Sequence, residues 1–374
     1  MKTIDVFARA SRLPSFDQRF QPRANALNLV RLVMALGVIV FHSFALSGVE
    51  IRVWPIYQFL GYVWVDGFFA ISGFLILSSW LARPSWQSFL TARVLRIYPA
   101  FWVCLVVTAV VLAPLGTILA TGKTYGEVVS PANVSYVLSN ATLVMTQYDI
   151  AGTPLGVPFP GNWNGSLWTL AWEFACYLAV LVLGVVGAYR HRWAVPAVFA
   201  ATLAVYVAVS IGWVSHSFVV LGARFGLMFS AGMLIKRFAH RIPLTWPLVA
   251  VCAAIVMATM TLPDYRVIGA PLLAYAVLGV GALLTHRRLW LRNDISYGTY
   301  VYAFPIQQIL ASAGIWHSGA WALLALSLLL TLPIAALSWF VVERPVLRLK
   351  QRRRREAASV GTVGGLRRGG ASSG

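Results

Sequence analysis

Long apolar segments alternate with short polar connections along most of this chain. Windows of about 20 apolar residues, the length that crosses the hydrocarbon core of a bilayer as a helix, recur ten times. They cover residues 26–46, 57–80, 98–119, 166–187, 194–212, 218–235, 243–261, 266–285, 296–314 and 320–341. The pattern predicts an all-α polytopic membrane protein with about ten transmembrane helices.

The basic residues predict how these segments are oriented. If both termini are cytoplasmic, 25 of the 30 lysines and arginines fall on the cytoplasmic side, and only three fall on the opposite side. Cytoplasmic loops carry such an excess of positive charge. We therefore expect a cytoplasmic N-terminal arm at residues 1–25, a transmembrane domain at 26–345 and a basic, disordered cytoplasmic tail at 346–374.

The composition supports a membrane protein and argues against a nucleic-acid-binding one. The 374 residues are 59% apolar and 11% charged, whereas about a quarter of the residues in soluble domains are charged. The formal net charge of +19 follows the membrane topology, so we expect contact with the lipid bilayer and not with nucleic acid. No cleavable signal peptide is evident, and the three cysteines follow no metal-binding or disulfide pattern.

Two ionisable residues lie inside the first apolar segment. Arg31 and His42 are eleven positions apart, so on a helix they share one face with about 16 Å between them. Ionisable groups inside a bilayer are costly, by about 3 kcal/mol for a central arginine on insertion scales, and they usually mark function. An imidazole suits proton abstraction from a hydroxyl group. A hydrogen bond to a neighbouring helix is the alternative role for His42.

Two acidic residues, Glu173 and Asp66, lie in or at the edge of apolar segments. Glu173 falls in the outer half of the fourth segment, at a depth similar to that expected for His42. Its carboxylate could orient the imidazole, raise its basicity or neutralise an arginine. Asp66 lies among small residues that permit close helix contact, and an interhelical hydrogen bond and substrate contact explain it equally well.

Two further features could contact substrates. Arg93 and Arg96 precede the third segment and share a helix face, where their guanidinium groups could hold a phosphorylated donor. Positive-inside anchoring explains them equally well. The longest outward loop, about residues 120–165, either caps the site, contacts an acceptor or is a passive surface loop.

The sequence resembles the acyltransferase 3 family of integral membrane acyltransferases. The first matching feature is an arginine that is followed, after ten residues, by a histidine; here these are Arg31 and His42. The resemblance continues through four further segments, which read VDGFFAISGFL at 65–75, RVLRIYP at 93–99, SLWTLAWE at 166–173 and ERP at 343–345. Their order and spacing over residues 28–345 make the joint pattern specific.

The resemblance implies an activity and a set of site residues. Members of that family move acyl groups, usually acetyl from acetyl-CoA, onto hydroxyl groups of extracytoplasmic sugars, and the arginine and histidine of the first helix are regarded as essential. For this chain, the resemblance implies acetyl-CoA as the acyl donor and no metal. It also implies catalytic roles for Arg31, His42 and Glu173, and donor binding by Arg93 and Arg96.

Two departures refine the resemblance. Residues 297–307 lack the histidine that is often found before the proline in this family. In this respect the chain resembles the branch that acetylates exopolysaccharides. Some relatives carry an extra extracytoplasmic esterase-like domain. This chain is expected to act without one, either directly or with a separate partner.

The main hypothesis is an O-acyltransferase of the bacterial inner membrane, with acyl-CoA, a glycan acceptor and polysaccharide-assembly proteins as partners. His42 is then the general base, Glu173 its orienting or charge-balancing partner, and Arg31 a donor-binding or charge-stabilising group. No serine or cysteine nucleophile with an adjacent base is evident, so direct transfer is expected.

A proton-coupled transporter is the principal alternative. Intramembrane arginine, histidine and glutamate residues also serve proton pathways, although no repeat halves are evident in the sequence. A structural membrane partner in a polysaccharide assembly complex is a third possibility.

Overall fold

The computed structural model describes residues 13–348, which form helices joined by loops with no β-strand in that range. Ten helices there have 14 residues or more. In chain order they are α1 (Leu27–Leu46), α2 (Trp54–Ala82), α3 (Trp86–Thr121), α4 (Thr169–Val185), α5 (Ala194–Ser210), α6 (Ser217–Phe238), α7 (Trp246–Thr259), α8 (Arg266–Leu283), α9 (Ser296–Ser312) and α10 (Ala320–Arg348).

Shorter helical segments connect these helices or interrupt them. They are Phe16–Arg19 before α1, Tyr125–Val128 and Pro131–Asn140 between α3 and α4, and the 3-10 turns Ala188–Arg190, Arg287–Leu289 and Ile315–Ser318. Two of the long helices contain a π-helical turn, Thr108–Leu112 in α3 and Trp339–Glu343 in α10.

Each predicted apolar segment coincides with one of the ten helices, so the all-α prediction is confirmed. By length and composition, six of them are long and apolar enough to cross a membrane, namely α1, α2, α3, α6, α8 and α10. Helices α4, α5 and α9 have 17 residues and α7 has 14, whereas a crossing needs about 20. Ten crossings and cytoplasmic termini therefore stay predictions, and most of the predicted tail lies outside the described residues.

Hydrogen bonds between loops and helix ends define two ends of the bundle. At the N-terminal end, the amide of Ala26 donates to the carbonyl of Gly281 and the Asn28 side chain donates to the carbonyl of Leu291. At the opposite end, the Gln58 amide donates to the carbonyls of Met260 and Leu262 at 2.7 and 2.8 Å. These bonds join the start of α1 to α8 and to the α8–α9 connection, and they join α2 to the α7–α8 connection.

Helices α2 and α6 cross with their backbones in contact. A side chain at Gly73 would come within 1.9 Å of the Phe229 carbonyl oxygen, and one at Gly232 within 1.8 Å of the Ala70 carbonyl oxygen. Small residues permit such close approach between helices in a membrane. The crossing brings Asp66 on α2 and Arg224 on α6, about two turns away on each helix, within ion-pair distance.

Candidate active site

Arg31 belongs to a cluster of four charged residues at the N-terminal end of the bundle. Its Nη1 contacts the Asp294 Oδ2 atom, and Nη2 of Arg96 contacts the same oxygen at 2.6 Å. Nη1 of Arg96 also pairs with Oε2 of Glu343 at 2.9 Å. We call Arg31, Arg96, Asp294 and Glu343 the inner ion cluster. It joins α1, α3, the α8–α9 connection and α10.

Asp294 is the centre of the inner ion cluster. Burial by itself would raise the pKa of its carboxyl group, but the guanidinium groups of Arg31 and Arg96 lower that pKa below its usual value. The Ser296 hydroxyl also donates to Asp294. Asp294 is therefore ionised at neutral pH and balances the charge of Arg31.

Glu173 shares a narrow cavity with Arg31. The cavity has a volume of about 30 Å³, room for about two water molecules, and Tyr297 and Tyr300 also line it. The Ser72 hydroxyl donates to Oε1 of Glu173 at 2.9 Å, and the Tyr177 hydroxyl donates to the same oxygen. Glu173 is thus oriented by α2 and by its own helix, and it lines the same cavity as Arg31.

His42 lies in a different part of the bundle from Glu173. Its ring packs edge-to-face against Phe304 with 5.0 Å between centroids, and its Nδ1 atom has no hydrogen-bond partner among residues 13–348. The Gln307 amide donates to the Ile39 carbonyl at 3.0 Å and to the Ser43 hydroxyl at 2.8 Å. These bonds hold α1 against α9 on both sides of His42, while the imidazole keeps a free nitrogen.

Two cavities meet at His42. The wide cavity, about 1120 Å³, opens at the opposite end of the bundle. It has an aromatic lining with a few polar groups, which is typical of ligand pockets. Its lining includes Tyr57, Tyr148, Phe159, Trp168, Asn162, Glu50 and Arg52. Tyr148, Phe159 and Asn162 come from the long loop between α3 and α4, so this loop forms one wall of the cavity.

The middle cavity, about 210 Å³, lies between the wide and narrow cavities. It shares His42, Tyr57 and Trp168 with the wide cavity. It shares Thr169 and Tyr300 with the narrow cavity. The three cavities therefore follow one another through the bundle, with His42 between the wide and middle cavities and with Arg31 and Glu173 at the far end.

Arg224 also lines the middle cavity and is held there by Asp66. Nε of Arg224 pairs with Oδ1 of Asp66 at 3.0 Å, while Nε of Arg266 pairs with Oδ2 at 2.6 Å. The Tyr265 hydroxyl donates to the same Oδ2 atom at 2.6 Å. Asp66 is completely buried. Of its two sequence-based explanations, the structure supports the interhelical hydrogen bond, and this contact holds a cation, Arg224, in the cavity that His42 also lines.

Arg93 and Arg96 lie outside the three cavities. Arg96 is engaged in the inner ion cluster, with both terminal nitrogens paired. Arg93 donates weakly to the Ser79 hydroxyl at 3.4 Å and lies over the rings of Phe89 and Tyr177. Their predicted role in donor binding stays a prediction, and neither contributes a free guanidinium group to these cavities.

The described residues contain no group of three or more histidine, cysteine, aspartate or glutamate side chains that could hold a metal ion. Of the predicted site residues, Arg31 and Glu173 meet in the narrow cavity and His42 lies in the adjoining ones. No hydrogen bond joins Glu173 to His42 in the range 13–348.

Sequence reasoning missed four residues that shape this site. Asp294 and Glu343 fall just outside the predicted apolar segments, at 296–314 and 320–341, so they were not counted as intramembrane acids. Arg224 and Gln307 lie inside segments but carry no local pattern that identifies their partners. Of these four residues, only Glu343 had a recognisable sequence signal. It belongs to the ERP motif at 343–345, next to the end of the last apolar segment.

The bundle of long apolar helices, with cavities that meet at His42, is typical of a multi-pass membrane protein. A family model described as an acyltransferase domain, that of the acyltransferase 3 family, matches residues 24–340. The chain therefore belongs to this family and is an acyltransferase, which confirms the family resemblance of the sequence.

Two curated proteins are similar over most of their length. An O-acetyl transferase of Shigella phage Sf6 is 28% identical over 337 residues, which cover 87% of this chain and 96% of the phage protein. Nodulation protein 10 of Rhizobium leguminosarum bv. viciae is 28% identical over 298 residues, covering 70% of this chain and 76% of that protein. No solved structure matches the chain significantly.

Proposed function

We propose that this acyltransferase moves an acetyl group from acetyl-CoA to a hydroxyl group of a cell-surface or lipid-linked glycan. The protein crosses the bacterial inner membrane ten times with both termini in the cytoplasm. The donor approaches from the N-terminal end of the bundle, and the glycan enters the wide cavity from the opposite end, where polysaccharide-assembly proteins supply it. The similarity to a protein named O-acetyl transferase supports acetyl as the transferred group.

The cavities in series carry this proposal. The wide cavity is large enough for a sugar unit, with aromatic rings for its apolar faces and Glu50, Arg52 and Asn162 for its hydroxyls. The narrow cavity admits only a slender group such as an acyl chain or a thioester. His42 lies where the two approaches converge, and its Nδ1 atom has no hydrogen-bond partner among the described residues.

The proposed step is direct transfer. The His42 imidazole takes the proton of the glycan hydroxyl as its oxygen attacks the thioester carbonyl carbon. The tetrahedral intermediate collapses, the carbon–sulfur bond breaks, and the thiolate of CoA receives the proton from the imidazolium. The products are an acetyl ester and free CoA. The Arg224 guanidinium, fixed by Asp66 in the same cavity, is available to stabilise the oxyanion.

Purified protein in proteoliposomes tests the proposal. With acetyl-labelled acetyl-CoA and a preparation of cell-surface glycan, the label is expected to move to the glycan as an alkali-labile ester. Transport of an intact solute without any transfer of the label would overturn the proposal and favour the proton-coupled transporter.

Replacing Glu173 with Gln is expected to lower kcat by about tenfold to hundredfold, the equivalent of one lost charged hydrogen bond. The amide keeps the shape of the side chain and can still accept from Ser72 and Tyr177, so the fold should persist. What is lost is the negative charge beside Arg31 in the narrow cavity.

Glu127→Gln is the matched control for this variant. Glu127 is an exposed carboxylate that accepts hydrogen bonds from Thr124 in the α3–α4 loop, far in the fold from Arg31. Steady-state rates of label transfer should be unchanged in that control. An unchanged kcat in Glu173→Gln as well would remove Glu173 from the site.

A further inference from the structure

A fourth cavity lies at the N-terminal end of the bundle, and none of the roles above uses it. It has a volume of about 530 Å³ and is formed by the segment before α1, the first turn of α1 and the α8–α9 connection. Its polar lining comes from Arg23, Asn25, Asn28, Arg287, Trp290 and Arg292. We call it the basic cavity.

Within residues 13–348, the arginines of the basic cavity have no carboxylate partner. Arg23, Arg287 and Arg292 are exposed, and none of them forms an ion pair with a carboxylate among residues 13–348. In contrast, the half-buried Arg96 and the buried Arg266 pair with carboxylates. Positive-inside topology explains why basic residues lie at this end, but it does not explain why three of them border one concavity. Guanidinium groups arranged in this way suit phosphate oxygens.

The walls of the basic cavity are fixed by hydrogen bonds. The Asn28 amide donates to the Leu291 carbonyl at 2.7 Å, which holds the α8–α9 connection against α1. The Trp290 indole donates to the Leu284 carbonyl at 3.0 Å. Trp290 and Phe20 both contribute rings to the lining, so the cavity offers flat apolar surfaces beside its cations. A base and a phosphate group on one ligand would use both features.

We propose that the basic cavity binds the phosphorylated adenosine end of the acyl-CoA donor. This inference rests on the proposed function, since it assumes that the donor is a CoA thioester. It assigns phosphate binding to Arg23, Arg287 and Arg292, whereas the sequence suggested Arg93 and Arg96.

The position of the basic cavity along α1 agrees with this assignment. Asn28 lines the cavity, and Arg31 lies one turn further along the helix. His42 is 14 positions beyond Asn28, which corresponds to about 21 Å of helix. An extended pantetheine arm has a comparable length. With its phosphates in the basic cavity, the donor would pass the inner ion cluster and bring its thioester towards His42.

A double variant, Arg287→Ala with Arg292→Ala, tests the proposal in the purified full-length protein. The KM for acetyl-CoA is expected to rise by about tenfold or more, since each arginine supplies a charged hydrogen bond to phosphate. The kcat at saturating donor should stay within about twofold because neither residue reaches the reacting atoms. Arg288→Ala is the matched control, because Arg288 is exposed in the same 3-10 turn but does not line the cavity. Its KM should match that of the wild type.

A truncated donor separates phosphate binding from structural damage. Acetyl-pantetheine has no phosphate and no adenosine, so the wild type and the double variant should use it equally well. Adenosine 3′,5′-bisphosphate should bind to the wild type in calorimetry and inhibit it competitively against acetyl-CoA, and both effects should be lost in the double variant. An equal loss of rate with both donors would indicate a damaged fold and overturn the assignment.

Anionic lipid headgroups share the same phosphate chemistry, and vesicle composition distinguishes them. If the cavity binds CoA, the change in KM should be the same in vesicles with and without phosphatidylglycerol. A change that appears only with phosphatidylglycerol would assign the cavity to a lipid and overturn the proposal. An unchanged KM for acetyl-CoA in an active double variant would contradict this inference and leave the proposed function standing. A wild type that neither uses acetyl-CoA nor binds the bisphosphate would contradict the proposed function itself.

Discussion

His42→Ala is expected to lower the rate of acetyl transfer by about a hundredfold to ten-thousandfold, the usual contribution of a positioned general base. His42 lies where the wide and middle cavities meet, and its Nδ1 atom has no hydrogen-bond partner among residues 13–348. Without the imidazole, nothing at this position takes the proton of the attacking hydroxyl group. Mass spectrometry of the glycan and label transfer in proteoliposomes both measure the loss.

The control for this variant is His317→Ala. His317 is exposed in the turn Ile315–Ser318 and stacks on Trp316, so its removal should leave transfer unchanged. The His42 variant should still be inserted and purify normally, because the imidazole packs against the rings of Phe41 and Phe304 and its Nδ1 atom has no hydrogen-bond partner among residues 13–348. Normal acetylation by inserted His42→Ala protein would exclude His42 as the base.

Asp66→Asn is expected to produce the largest loss of stability, about 3–5 kcal/mol, as when one partner of a buried ion pair is removed. Asp66 is completely buried and pairs with Arg224 and Arg266, and the side chain of Arg266 is only 3% exposed. The asparagine would leave Arg224 without its carboxylate partner among residues 13–348 and would leave Arg266 paired with Asp264 alone. Thermal unfolding in detergent should therefore begin at a clearly lower temperature.

Glu50→Gln is the control for this loss of charge. Glu50 pairs with Arg52 at 3.3 Å, but both side chains are largely exposed, so the pair contributes little to stability. Its unfolding temperature should equal that of the wild type. If the Asp66→Asn variant unfolded at the same temperature as the wild type, the ion pairs of Asp66 would not contribute to the stability of the fold.

Asp66→Asn should also weaken catalysis in the fraction that folds. Arg224 reaches the middle cavity because Asp66 holds its Nε atom. With a neutral partner, the guanidinium group is less firmly oriented towards the place where the oxyanion forms. The two effects can be separated, since stability is measured without substrate and kcat is measured per folded molecule.

The helices, and the placement of Arg31 and His42 on one of them, were predictable because these patterns are local. An apolar window of about 20 residues predicts a helix without reference to the rest of the chain, and each window coincided with a helix. The spacing of Arg31 and His42 likewise depends on one helix alone, and the two residues do lie in separate cavities of one series. The family resemblance rested on motif order, which is also a property of the linear sequence.

Which side chains meet between helices could not be read from such patterns. Asp294 joins Arg31 across 263 positions of sequence, and Asp66 joins Arg266 across 200. These contacts follow from helix crossings such as that of Gly73 and Gly232, where backbones touch and set which turns face each other. Helix formation depends on neighbouring residues, so the sequence alone determines the helices. Packing between distant segments forms the cavities, the inner ion cluster and the basic cavity, so these depend on the tertiary structure.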